Sequence, residues 1–290
     1  GKGSVTTFLS SILREAGLRT GTFYSPHLFR INERIRVDGE EIPSPELDRL
    51  IRTLRKGCGE TPFTFFEGVT AAAALWFRES GVDAERIEVT GIPIDPVFAR
   101  LPSRSEARAA LGVRGEREIL LLMAGGMARR TLTTLLEQLQ RLRWPLDAWV
   151  VCGRSPDLLD VARDAAADAT GLTRIVPFGF LRDVPLRMAA ADVAAGKPGG
   201  LTASEVLAAG LPFVVVDPYP LQEEANALHL LERGAALRVD PLTTFGHKLG
   251  GLLADPERRE RMAGAARAAA RPDAAVAVVA ACQRLLQGSP

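Results

Sequence analysis

The sequence has little of several features that mark large classes of proteins. Its 290 residues contain no apolar run of 18 residues, so no transmembrane segment is predicted. We expect no signal peptide either. The net charge is only +1, which gives no reason to expect a nucleic acid as a partner.

Cysteine and histidine are also scarce. The three cysteines, Cys58, Cys152 and Cys282, are odd in number and far apart. This spacing favours free thiols in a reducing compartment, so a cytoplasmic protein is expected. The three histidines are scattered and form no metal-binding pair, so we assign no metal ligand among them.

From about residue 119 onward, short apolar runs alternate with amphipathic helices. The predicted strands are Ile119–Met123, Ala148–Cys152, Arg174–Phe178, Val193–Ala195, Phe213–Asp217 and Ala235–Val239. This alternation predicts an α/β fold with a Rossmann-like, doubly wound parallel sheet. Ligands of such sheets bind at the carboxyl ends of the strands.

The most informative segment runs from Gly196 to Asn226 and reads GKPGGLTASEVLAAGLPFVVVDPYPLQEEAN. Its glycine pair, Gly199-Gly200, precedes a helix predicted to begin near Thr202. Residues without a Cβ let backbone N–H groups approach a ligand closely, and a helix N-terminus adds partial positive charge. The turn is therefore suited to a diphosphate.

Glu205 follows Thr202 by three residues, on the first turn of that predicted helix. There its carboxylate can accept hydrogen bonds from the hydroxyls of a ribose. The same spacing is also that of a capping box, with Thr202 as N-cap and Glu205 at N3. The two interpretations are compatible, and both remain open at this point.

The segment resembles the C-terminal donor domain of UDP-sugar glycosyltransferases with two Rossmann domains (the GT-B class). It is most similar to the diacylglycerol glycosyltransferases and the muramyl-peptide N-acetylglucosaminyltransferase. The resemblance implies that the K-P-G-G-x-T-x-x-E run holds the diphosphate and ribose through Gly199, Gly200, Leu201, Thr202 and Glu205. It also implies that Gln222, Glu223 and Asn226 face the donor sugar, the alternative being a solvated acidic helix start.

Two further loops match this family. Gly125-Gly126 corresponds to its first glycine loop, beside the diphosphate, although Arg129 and Arg130 stand where the family has more glycine. Those arginines either contact phosphate or are solvated, and we favour the solvated interpretation. Phe180 follows a strand where the family packs the uracil, the alternative being a core aromatic. Gly153-Arg154 is a weaker signal, typical of an ordinary turn.

Residues 1–84 resemble the start of folylpolyglutamate synthase, a ligase of the Mur type. The G-K-G-S run places Lys2 and Ser4 at the phosphate and Mg²⁺ positions of an ATP loop, and Ser25 and Glu67 near the same metal. We therefore expect an incomplete P-loop α/β fragment before the GT-B domain. Its predicted elements include a strand at Gly21–Tyr24 and a loop at Arg30–Glu41.

The two resemblances meet near Gly81–Glu85. Residues 85–98, ERIEVTGIPIDPVF, look like the interdomain crossover of the lipid glycosyltransferases. We therefore divide the chain into a truncated ligase-like ATP-binding fragment, 1–84, and a nucleotide-sugar-binding domain, 85–290, with the crossover at 85–100. We expect that the start of the ATP loop and the acceptor domain are missing. Natural fusion, chimera and artefact all remain open as origins.

The leading functional hypothesis is a domain that binds a UDP-sugar for hexosyl transfer to a lipid or lipid-linked acceptor at the inner membrane surface. Such a site requires no metal or other cofactor, and we name no catalytic residue, because the base normally comes from the acceptor domain. Turnover is expected to be impaired without that domain. The alternative is an inactive nucleotide-binding or chimeric module, and the third hypothesis is a remnant ligase with a vestigial Mg-ATP site.

Overall fold

A computed structural model describes residues 2–59, 61, 63–82, 90–169, 171–219 and 222–287, with the backbone alone for Lys2 and residues 285–287. The chain divides into two compact units. One comprises Gly1–Val89 with Val278–Pro290, and the other comprises Thr90–Ala277. The first five residues of the predicted crossover, 85–89, lie outside the described residues.

The larger unit is built on a six-stranded parallel sheet. Its strands are β4 (Glu118–Met123), β5 (Leu146–Val151), β6 (Arg174–Phe178), β7 (Val193–Gly196), β8 (Phe213–Val216) and β9 (Ala236–Val239). The spatial order is β6-β5-β4-β7-β8-β9, and every neighbouring pair is parallel. All six predicted strands are present within one or two residues of their predicted bounds, so the doubly wound parallel sheet is confirmed.

This strand order has a topological switch point between β4 and β7. The chain moves from β4 outward to β6, then returns past β4 and continues in the opposite direction from β7 to β9. The loops that leave β4 and β7 consequently diverge to opposite faces of the sheet and leave a crevice between them. In open α/β sheets, ligands bind in that crevice.

Helices cover both faces of the sheet, because its strands are apolar on both sides. The helices of this unit are α4 (Arg104–Ala110), α5 (Arg129–Arg141), α6 (Pro156–Ala167), α7 (Val184–Ala190), α8 (Gly200–Ala208), α9 (Gln222–Glu232), α10 (Phe245–Leu253), α11 (Pro256–Ala269) and the start of α12 (Ala274–Gln287). In β4, Leu120 and Leu122 belong to one buried cluster with α5, α6 and α10. Ile119 and Leu121 belong to the other, with α4, α7 and α8. Continuous apolar strands of this kind are typical of parallel sheets.

Sequence reasoning did not predict α4 or the short 3₁₀ helix at Pro96–Arg100. A signal for α4 was present in the sequence. Ser103 and Glu106 form a capping box, in which each side chain accepts the backbone N–H of the other residue. The helix spans only seven residues, too few for an amphipathic period to stand out.

The smaller unit has a three-stranded antiparallel sheet. Its elements are α1 (Lys2–Glu15), β1 (Gly21–Phe23), β2 (Ile35–Val37), β3 (Glu40–Glu41), α2 (Ser44–Cys58) and α3 (Phe65–Glu79). Strands β2 and β3 join through Asp38 and Gly39, whose φ angles are 51° and 88°. This pair of left-handed residues is the signature of a tight hairpin turn. The unit has its own buried apolar cluster, which includes Ile35, Ile42 and Leu50.

The prediction of a loop over Arg30–Glu41 is therefore wrong. That segment contains a 3₁₀ helix, Ile31–Arg34, followed by β2 and β3. The strands span only three and two residues, which is too short for an alternating pattern to be recognised. Burial of Ile35 in the unit's core supplies the stability that the local pattern does not indicate.

Candidate nucleotide-sugar site

A cavity of about 360 Å³ lies at the carboxyl edge of the sheet, at the switch point. It is lined by residues from the loops after β4, β5, β6 and β7 and from the starts of α8 and α9. The lining residues are Met123, Gly125, Gly126, Val151, Gly153, Phe180, Leu181, Val184, Lys197, Gly199, Thr202 and Glu223. Six of the eleven residues predicted to bind the nucleotide sugar therefore meet at one cavity.

The glycine turn leads into α8 earlier than the sequence pattern predicts. The helix begins at Gly200, its N-cap is Gly199, and no side chain caps it. The N–H groups of Gly200, Leu201 and Thr202 precede the first intrahelical bond, which Ala203 donates to Gly199. Unpaired N–H groups at a helix N-terminus form a site for an anion. The side chain of Leu201 is exposed.

This start excludes the capping box predicted for Thr202 and Glu205. Thr202 lies at N3, so Glu205 is on the second turn of α8, too far along to bond the N-cap backbone. Gly199 supplies the N-cap because its extended backbone, with φ −60° and ψ 148°, needs no side chain to lead into the helix. The T-x-x-E pattern matched a capping box by spacing alone.

Glu205 is a half-buried carboxylate on the second turn of α8. Among the described residues, neither a hydrogen bond nor an ion pair reaches its side chain. Burial raises the pKa of Glu205 above its ordinary value of 4.5, and the nearby charge of Asp95 raises it further. A ligand that donates hydrogen bonds to this carboxylate would remove part of that desolvation cost.

The first glycine loop lies opposite the turn before α8. Gly125 and Gly126 are exposed at the cavity, and Gly126 has a φ of +80°, which favours glycine. Arg129, on the first turn of α5, forms an ion pair with Asp157. Arg130 is exposed, and no described residue pairs with it.

Phe180 is on the surface rather than in the core, with a relative exposure of 57%. The Arg154 guanidinium lies over its ring, 4.8 Å from the centroid. The two residues come from the neighbouring loops after β6 and β5. Arg154 was judged an ordinary turn residue from sequence, so its pairing with Phe180 is a contact that sequence reasoning missed.

The polar residues at the start of α9 have different positions: some line the cavity, and others bond to neighbouring segments. Glu223 lines the cavity, whereas Gln222 is exposed on the first turn of the helix. The Asn226 side-chain amide donates to the Pro198 carbonyl at 2.8 Å, so it braces the glycine turn. Glu224, which belongs to the same run, forms a two-bond ion pair with Arg238. Pro220 and Leu221 lie outside the described residues.

Residues 127–278 match the model of the glycosyltransferase family 28 C-terminal domain, which is just over half of the chain. The chain belongs to glycosyltransferase family 28. The matched range begins directly after Gly125-Gly126, runs into α12 and includes the K-P-G-G turn, Glu205 and the polar run of α9. The resemblance to the donor domain of this class is confirmed.

Curated relatives agree with this membership. The chain is 29% identical to the processive diacylglycerol β-glucosyltransferase of Bacillus licheniformis over 186 residues, covering 63% of this chain and 48% of that protein. It is 29% identical over 212 residues to the UDP-N-acetylglucosamine–N-acetylmuramyl-(pentapeptide) pyrophosphoryl-undecaprenol N-acetylglucosamine transferase of Desulfitobacterium hafniense, covering 68% of this chain and 56% of the relative. The chain thus spans about half the length of these relatives.

A similarity to the second predicted family is also found. The chain is 32% identical over 174 residues to a probable bifunctional folylpolyglutamate synthase/dihydropteroate synthase of Haloferax volcanii. The alignment covers 58% of this chain and only 20% of that protein.

Solved structures show the same fold. MurG of Acinetobacter baumannii superimposes with a TM-score of 0.57 at 19% identity, covering 94% of this chain and 87% of the other. Anabaena Alr3699/HepE in complex with UDP superimposes with a TM-score of 0.53 at 21% identity, covering 75% and 62%. The larger unit of the family 28 chain therefore has the Rossmann-like architecture of GT-B glycosyltransferases.

The described residues predicted for a vestigial ATP site, Ser4, Ser25 and Glu67, lie in three different elements. Ser4 lies exposed on the first turn of α1, and the side chain of Lys2 is outside the described residues. Ser25 is exposed in a loop. Glu67 accepts hydrogen bonds from the Thr64 N–H and hydroxyl at 2.7 and 2.8 Å, which lower its pKa. That carboxylate therefore closes a capping box at the start of α3.

A larger cavity, of about 630 Å³, lies at the opposite edge of the sheet. Its charged side chains already pair, as in Arg104 with Asp192 and Arg267 with Glu260. In the described part of the chain, no group of three or more His, Cys, Asp and Glu side chains is arranged to hold a metal ion. None of the described helices combines the length and hydrophobicity that crossing a bilayer needs.

Proposed function

We propose that the family 28 domain binds a UDP-sugar in the 360 Å³ cavity at the switch point and serves in hexosyl transfer to a lipid or lipid-linked acceptor. The observation that carries the proposal is the meeting of Gly125, Phe180, Gly199, Thr202 and Glu223 around that cavity. These residues come from four separate segments, yet each was assigned to the same ligand from its sequence motif.

Each part of the proposed donor has a matching group. The diphosphate lies on the free N–H groups at the start of α8 and beside Gly125-Gly126, where backbone dipoles offset its charge. The ribose hydroxyls donate to Glu205, which has no described partner of its own. The uracil packs beside Phe180, and the hexose faces Gln222, Glu223 and the side-chain oxygen of Asn226.

The relatives support this choice of donor and acceptor. The Anabaena neighbour is a complex with UDP, and the Bacillus relative is named for glucosyl transfer to diacylglycerol. In such a reaction the acceptor hydroxyl attacks the anomeric carbon of the sugar, the bond to the diphosphate breaks, and UDP leaves. The fixed N–H groups of α8 stabilise the charge that develops on the departing diphosphate.

A release assay tests the proposal. The chain is incubated with UDP-glucose or UDP-N-acetylglucosamine and vesicles that contain diacylglycerol, and the appearance of free UDP is followed. Acceptor-dependent UDP release supports transfer. Donor binding without UDP release supports the alternative of an inactive nucleotide-binding module. Absence of both binding and release contradicts the proposal.

A further inference from the structure

Lys197 lines the cavity although sequence reasoning did not assign it to the ligand. It follows β7 directly and precedes the glycine turn, and only 19% of its side chain is exposed. Its Nζ lies 3.7 Å from Glu223 Oε2 and 5.7 Å from the centroid of the Tyr219 ring. The K-P-G-G motif includes Lys197, but only the glycines of this motif were assigned to the ligand from sequence.

Glu223 is held across the same turn. Its Oε2 accepts the Tyr219 N–H at 2.5 Å. Its Oε1 lies 3.8 Å from the position that a Cβ on Gly199 would take. The carboxylate therefore lies next to the backbone N–H groups where an incoming diphosphate would bind.

Lys197 and Glu223 are the only charged side chains among the described residues that line this cavity. Without a ligand, the cation of the cavity is thus neutralised by the cavity's own carboxylate. An incoming diphosphate competes with Glu223 for Lys197, and its charge repels the carboxylate at close range.

We propose that Lys197 is the side-chain cation that binds the donor diphosphate and that Glu223 is its internal counter-ion, displaced when the donor binds. This inference rests on the proposed UDP-sugar function. Once Lys197 has turned to the diphosphate, Glu223 keeps the Tyr219 N–H and gains free acceptor capacity beside the sugar. Hexose hydroxyls satisfy that capacity, whereas free UDP leaves it unmet.

The consequence is a preference for donor over product. Glu223 weakens the binding of UDP more than that of UDP-hexose. UDP brings negative charge near the carboxylate but no sugar hydroxyl that could donate to it. Unmet acceptor capacity on a partly buried carboxylate is costly, so the difference favours release of UDP after transfer. The Lys197–Glu223 pair would then set specificity for the sugar-bearing nucleotide.

Calorimetric titration of the whole chain with uridine, UDP and UDP-glucose tests the role of Lys197. Lys197→Met is expected to weaken UDP binding about tenfold or more and to leave uridine binding unchanged, because only the diphosphate contacts the ammonium. Lys197→Arg should retain most of the UDP affinity. Lys248→Met removes the same charge from α10, where Lys248 donates to the Arg238 carbonyl, and should leave UDP binding unchanged.

Glu223→Gln tests the counter-ion, because the amide keeps an acceptor for the Tyr219 N–H and removes the charge. It should tighten UDP binding several-fold and lower the ratio of UDP-glucose to UDP affinity. Equal UDP binding by Lys197→Met and the wild type overturns the inference, as does a parallel loss of uridine and UDP. Weaker UDP binding by Glu223→Gln also overturns it. A wild-type chain that binds no UDP overturns the proposed function itself.

Discussion

The side-chain amide of Asn226 donates a hydrogen bond of 2.8 Å to the carbonyl oxygen of Pro198. This bond joins α9 to the turn that precedes α8, two segments separated by 28 residues. It fixes the backbone whose N–H groups form the proposed diphosphate site. The polar run of α9 therefore has a supporting role in addition to the sugar contacts proposed for it.

Replacing Asn226 by alanine removes that brace. We expect the free energy of unfolding to fall by about 0.5–1.5 kcal/mol, the net value of one hydrogen bond, and UDP affinity to fall as well. Urea denaturation and UDP titration measure the two effects. Gln222→Ala on the exposed first turn of the same helix is the control and should change stability by less than about 0.5 kcal/mol. Unchanged stability in Asn226→Ala would contradict the bracing role.

Glu205 makes stability depend on pH. The pKa of Glu205 in the folded chain is raised above 4.5. Ionisation of this carboxylate therefore lowers the free energy of unfolding as the pH rises from 4.5 through the raised pKa. Glu205→Gln should therefore be more stable than the wild type at neutral pH. The difference should shrink on acidification and vanish below pH 4.5, as followed by urea denaturation across this range. If Glu205→Gln is instead less stable than the wild type at neutral pH, the Glu205 carboxylate has a stabilising partner in the folded chain, which would contradict this account.

The same variant tests the ribose contact. Loss of hydrogen bonds to an ionised carboxylate should weaken UDP binding by about 1.5–3 kcal/mol in Glu205→Gln at neutral pH. Acidification should weaken UDP binding more in the wild type than in Glu205→Gln. The pH dependence that remains in the variant comes from the phosphates of UDP alone. Calorimetry at several pH values separates the two contributions. Unchanged UDP affinity in the variant would exclude the ribose role.

Phe180 should contribute to binding more than to folding. Because the residue is 57% exposed, Phe180→Ala should change stability little. Loss of base packing should weaken UDP binding by about 1–3 kcal/mol, the value of aromatic contacts with nucleobases. Leu172→Ala truncates a similarly exposed apolar residue, 55% exposed, before β6 and serves as the control. Equal UDP affinities for Phe180→Ala and Leu172→Ala would reject the uracil contact.

Glu67 should behave as a capping residue. Glu67→Ala removes the acceptor of the Thr64 N–H and should lower the melting temperature, whereas Glu67→Gln keeps an acceptor at N3 and should retain most of it. Thermal melts with and without Mg-ATP check both variants. A stabilisation by Mg-ATP that is present in the wild type and lost in both variants would instead support the metal role.

The sheet could be predicted because each strand is an apolar run bounded by turn residues, and the family motifs fall at the carboxyl ends of those strands. The start of α8 was misplaced because a glycine N-cap leaves no side-chain signal and T-x-x-E imitates a capping box. Strands β2 and β3 were missed because they are too short for a period and depend on burial of Ile35. The partners of Arg154 and Lys197 come from other segments, so only the folded chain reveals them.

UDP binding at the glycine turn is the central claim. Among the described residues, a Cβ on Gly199 would meet only Glu223 Oε1, at the ordinary contact distance of 3.8 Å, so Gly199→Val should fold normally while filling the diphosphate site. Gly251→Val places the same side chain in open space on α10 and serves as the control. Calorimetric titration of the whole chain should show UDP bound more tightly than ATP, with binding lost in Gly199→Val and retained in Gly251→Val. ATP bound more tightly than UDP, or UDP bound equally by both variants, would contradict the account.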